Sequence, residues 1–159
     1  MNYFFHDGAG LIHLLSSILA MIFGLAVLVM KKGTRQHVRM GYLYFASMVM
    51  LLASSFLIQR LFGGFGLFHW MAIASIIILF IGMVPIWFRR PRDGWKVLHY
   101  NFMYWSVVAL YEAFMAEILT RIPGTSFMLM VAVGVGVILC VGFILFFKNK
   151  KKWEAEIGV

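Results

Sequence analysis

Six ionisable side chains stand within or at the edge of stretches that are otherwise apolar: His13, His37, His69, His99, Glu112 and Glu117. Such groups cost roughly 2.5–3.5 kcal/mol each at mid-bilayer on insertion scales, so they face a protein interior and mark function or find a partner. Imidazoles on facing helices ligate haem iron axially. Two imidazoles with a carboxylate suit zinc or non-haem iron. No dinucleotide fingerprint, P-loop, nucleophile elbow or covalent haem-attachment motif accompanies them. Catalytic residues are therefore unassigned, and any haem is held non-covalently.

The elements that position these groups are set by hydropathy. The chain has 159 residues, 63% of them hydrophobic and 13% charged. A soluble domain of this length needs far more polar surface. Five runs each reach the roughly 20 residues that cross a bilayer as a helix: about Gly10–Met30, Met40–Phe62, Phe65–Trp87, Trp95–Leu119 and Ser126–Phe147. Breakers separate them, at Lys31-Lys32-Gly33, Gly63-Gly64, Pro91 to Gly94, and Pro123-Gly124. The fold class is all-α: a polytopic membrane protein forming one transmembrane domain over residues 1–159. Spans one to four are expected to make a four-helix bundle. Span five is expected to lie peripherally, on an Ala132, Gly136 and Cys140 small-residue face, with 148–159 a short basic cytoplasmic tail. Met1 to Gly10 carries no Lys or Arg, so the first run reads as a retained span rather than a cleavable signal peptide.

The net charge of +8 does not point to nucleic acid, because its placement has another cause. Lys31, Lys32, Arg35 and Arg39 follow span one; Arg89, Arg90, Arg92 and Lys96 follow span three; Lys148, Lys150, Lys151 and Lys152 follow span five. That is 12 of the 14 basic residues on one side, leaving Arg60 and Arg121 on the other. The positive-inside rule puts the N-terminus outside and the C-terminus in the cytoplasm of a bacterial inner membrane.

Depth sorts the ionisable groups into two layers. His13, His69 and Glu117 fall near the outer face, and His37 and His99 near the inner face. His99 and Glu117 are roughly 27 Å apart along span four, too far for one site. Alternate helices thus offer His13 with His69 and His37 with His99. In a four-helix bundle these pairs lie across diagonals, an arrangement that resembles bis-histidine b-type membrane cytochromes. The reading is haem b passing electrons across or within the bilayer, with a quinone or a membrane redox partner. The alternative is a zinc or non-haem iron site on His13, His69 and Glu117, with Asp7 as a fourth donor, in a hydrolase-like protein or transporter. A non-catalytic accessory subunit is the third reading. Histidines at helix ends also serve as interfacial groups, and an Arg121–Glu117 pair would occupy that carboxylate structurally.

Three stretches carry a family resemblance. They are His13 through Gly24 to Lys31-Lys32-Gly33, His37, Arg39, Gly41 and Tyr44; Phe68-His69-Trp70; and His99-Tyr100, Met103, Ser106, Leu110-Tyr111, Ala113-Phe114, Glu117 and Arg121-Ile122-Pro123. Together they resemble the bacterial membrane proteins grouped as domain of unknown function 2306, over roughly Gly10 to Pro123. The resemblance implies a compact helical membrane protein in which His13, His37, His69, His99, Glu117 and Arg121 matter. It implies no activity.

The topology is testable with fused reporters. A cytoplasm-dependent reporter after Val159 and a periplasm-dependent reporter at Gly64 are both expected to be active. A cytoplasm-dependent reporter active at Gly64 refutes the five-span order.

Overall fold

The computed structural model describes residues 8–58 and 64–158. They form five helices: α1 Gly8–Val29, α2 Arg35–Ser55, α3 Leu67–Phe88, α4 Trp95–Leu119 and α5 Phe127–Ile157. All five are long and apolar enough to cross a membrane, as expected of an all-α multi-pass protein.

The helix ends follow from capping chemistry. Lys32 folds its ammonium back onto the Val27, Leu28 and Met30 carbonyls at 2.8–3.1 Å, closing α1. Gly33 follows at φ +76°. Thr34 then accepts from the His37 amide, so α2 starts at Arg35 rather than near Met40. α2 ends at Ser55, well short of Phe62. The Ser54 and Ser55 hydroxyls bond the Leu51 and Leu52 carbonyls there, competing with the helical ladder. Gln59, Arg60, Phe62 and Gly63 lie outside the described residues, as do His6 and Asp7. At the other end of the chain, the lysine-rich tail continues α5 as helix to Ile157. Lys96 donates to the Ile157 carbonyl at 2.7 Å and caps it.

Two compact units divide within α3: Met1–Ile77 and Ile78–Val159. In the first, α1 packs on α2. The buried face of α1 is Ser16, Ala20, Gly24 and Val27, against a face of α2 holding Tyr44, Met48, Leu51 and Leu52. The Ser17 hydroxyl donates to the Leu14 carbonyl of its own helix.

In the second unit α4 and α5 run antiparallel. A Cβ at Gly134 would stand 3.0 Å from the Ala116 backbone nitrogen, and one at Gly142 would stand 3.0 Å from Val108. The Tyr104 hydroxyl donates to the Gly142 carbonyl at 2.6 Å. Toward the lysines, Tyr100, Tyr104, Phe146 and Trp153 form a ring cluster, and Tyr100 donates to Glu154. The small residues that matter are thus Gly134 and Gly142. The expected Ala132, Gly136 and Cys140 face is not the packing face: Ala132 and Cys140 are exposed, and Gly136 has open space beside it. Small size alone does not tell a helix which side will meet its neighbour.

Gly134→Leu should destabilise the protein by about 1–3 kcal/mol, because backbone rather than a movable side chain blocks the new atoms. Gly136→Leu on the same helix should be close to neutral. Thermal unfolding in detergent reads both.

Candidate functional site

The first histidine node lies in the unit that holds α1, α2 and the start of α3. His13 Nδ1 is 3.2 Å from Ser54 Oγ. The Ser54 hydroxyl proton is directed at the Leu51 carbonyl, 2.8 Å away, so Ser54 Oγ accepts and His13 Nδ1–H donates. The His13 imidazole then carries its lone pair on Nε2.

His69 sits two residues into α3 from Leu67, with Gly66 as the residue before the helix. The Gly66 amide donates to His69 Nδ1 at 3.0 Å, and the His69 amide donates back to the Gly66 carbonyl at 3.0 Å. The first bond is the N3-side-chain half of a capping box, with imidazole in the place usually held by Glu or Gln, and the second is a backbone turn bond. The first bond fixes the tautomer. Because Nδ1 accepts, the neutral ring carries its proton on Nε2. His69 is 5% exposed, and its buried Nε2 has no hydrogen-bond partner among the described residues. Phe65 stacks on the ring at 4.8 Å between centroids, and Phe56 tilts against it at 6.0 Å. Ser54 and Phe56 are two residues apart at the end of α2, so His13 and His69 are anchored to the same short segment.

The second node lies in the other unit. His99 Nδ1–H donates to the Gly82 carbonyl at 2.8 Å, which again leaves the lone pair on Nε2. Gly82 also lets α3 approach α4, since a Cβ there would meet Met103 Sδ at 2.9 Å and the Met103 amide nitrogen at 3.2 Å. Pro85 lies one turn further along α3 and brings no N–H to the helical ladder. Met103, Ser106 and Leu110 of α4 are buried.

The other sequence candidates have local roles. His37 is half-buried in the first turn of α2, where its amide bonds Thr34. Glu117 is paired with Arg121 one turn on, with both side chains about half exposed. Among the described residues no group of three or more His, Cys, Asp or Glu is placed to hold a metal ion. Asp7, the expected fourth donor, lies outside those residues.

The pattern of a family described as a predicted membrane protein, DUF2306, matches residues 10–150. The chain belongs to that family. The DUF2306 match runs past Pro123 through most of α5, so the fifth helix is part of the family's unit rather than an addition to it. No curated protein and no solved structure matches the chain.

The partners that the sequence reading missed are Ser54, Gly66 and Gly82. Gly66 had a local signal, since a polar side chain at the third position of a helix can accept from the amide of the residue before it. Ser54 and Gly82 are set by tertiary packing and have no local signature.

Proposed function

We propose that this DUF2306 protein is a quinone-linked electron-transfer protein of the bacterial inner membrane, with its N-terminus outside and its C-terminus in the cytoplasm. The quinone site is centred on His69, beside Phe65. One observation supports the reading: His69 Nε2 is buried and has no hydrogen-bond partner among the described residues. A buried N–H left unmet costs about 1–3 kcal/mol, so an acceptor supplied by a ligand is worth that much to the complex. The ligand must reach an apolar site in the bilayer, stack beside Phe65, and present an acceptor oxygen. A quinone ring with its carbonyl does all three.

The tautomer also separates quinone from metal. Zinc or iron needs a lone pair on Nε2, and the Gly66–Nδ1 bond puts a proton there instead. For His69 to serve in a His13, His69 and Glu117 metal site, or as the axial partner of His13, the Gly66 amide must release the ring. His13 and His99 stand differently. Each has its Nδ1–H anchored on an oxygen, the arrangement that orients imidazoles whose Nε2 binds a metal. That favours haem b on His13 or His99 as the electron partner of the quinone, in place of the strict pairing of His13 with His69 and of His37 with His99.

Titration of the purified protein with a short-chain quinone tests the site. His69→Gln keeps an oxygen able to cap Gly66 but replaces the fixed Nε2–H at the far edge of the ring by an amide N–H in a different place. It should weaken quinone binding about tenfold with folding intact. The dithionite-reduced spectrum tests haem: an alpha band should survive His69→Gln and fall in His13→Ala or His99→Ala. Quinone binding unchanged by His69→Gln overturns the site. A colourless protein expressed with ample haem overturns the haem assignment.

A further inference from the structure

A groove of about 500 Å³ opens on the second unit, over the middle of α4. Phe102 and Trp105 of α4, Ile78 of α3, and Phe143, Phe146 and Phe147 of α5 line it, with Asn101 as its polar residue. Trp105 lies 4.7 Å from Phe143 between ring centroids, so the floor is a continuous aromatic surface. Nothing about this groove involves the histidine nodes.

The sequence of α5 says what the groove's mouth offers. The stripe Phe143, Phe146 and Phe147 is continued one turn on by Lys150 and Lys151 at helical spacing. The antiparallel register, with Ala116 beside Gly134 and Val108 beside Gly142, brings Asn101 to the level of Asn149. The apolar lining therefore gives way to amide and ammonium groups at one end. Lys148, Lys151 and Lys152 have no acidic partner among the described residues, and Lys150 meets Glu154 at a loose 3.7 Å. Four lysines outnumber the carboxylates Glu154 and Glu156 in this segment.

We propose that the groove holds one anionic phospholipid, with an acyl chain on the aromatic floor and its phosphate on Lys150 and Lys151. The charge at the mouth selects an anion, and the depth of apolar lining selects one with a long hydrocarbon chain. A zwitterionic lipid fills the same floor but gains little from the lysines.

Tryptophan quenching by lipids brominated on the acyl chain reads occupancy. The Trp105 contribution is the difference between the wild-type protein and Trp105→Phe, reconstituted in otherwise unbrominated bilayers. Brominated phosphatidylglycerol should quench that contribution at roughly tenfold lower mole fraction than brominated phosphatidylcholine. Lys150→Gln with Lys151→Gln, both at accessible positions of α5, should bring the two lipids together without loss of folding. Equal quenching by the two lipids in the wild-type protein overturns the proposal, as does a preference for phosphatidylglycerol that survives the double lysine substitution.

Discussion

Hydrocarbon supplies no hydrogen bonds, so every polar group carried into it must be met from within the protein or by a ligand. That constraint organises this chain. His99 is met by Gly82, His13 by Ser54, and Tyr104 by Gly142. Each bond joins two helices, so each also fixes where those helices cross. The glycines serve twice, giving a carbonyl to the donor and giving up a side chain so that the helices come close enough for the bond to form. His69 differs from these three. One ring nitrogen is met at the helix start, and the other is buried with no hydrogen-bond partner among the described residues.

That difference has a physical consequence. A ring nitrogen that accepts from a backbone amide determines what its partner nitrogen can do. The same residue type therefore divides by its hydrogen bonds: His13 and His99 face oxygens with Nδ1, while His69 accepts from an amide at Nδ1. An account based on residue type and depth treats all four histidines as equivalent ligands. An account based on their hydrogen bonds assigns them different ligands, which is why the proposed quinone and haem roles fall on different residues.

Much of the architecture was legible in the chain. Hydropathy and charge place all five helices, because a span must be apolar for its full length. The errors fall where tertiary contacts or capping decide. α2 begins at Arg35 because Thr34 caps it, although the run from Arg35 to Arg39 is too polar to count as span. α5 continues through its lysines because Trp153 and Glu154 pack back on Tyr100, and Lys96 closes the last turn. The face of α5 that packs was misread because Gly136 and Gly134 are equally small, and only the position of α4 distinguishes them. At the site, the histidines and the Glu117–Arg121 pair were readable from type and spacing. The oxygens that orient His13 and His99 were not, because those bonds span 41 and 17 residues of sequence.

The central claim concerns one proton, and nitrogen NMR observes it. Protein labelled with ¹⁵N histidine, with the His69 signals assigned by their loss in His69→Gln, reports which ring nitrogen carries hydrogen. The account predicts a neutral His69 protonated on Nε2, with that nitrogen's shift moving toward a hydrogen-bonded value when a short-chain quinone is added. A His69 protonated on Nδ1, or an Nε2 signal that saturating quinone leaves unmoved, would contradict it.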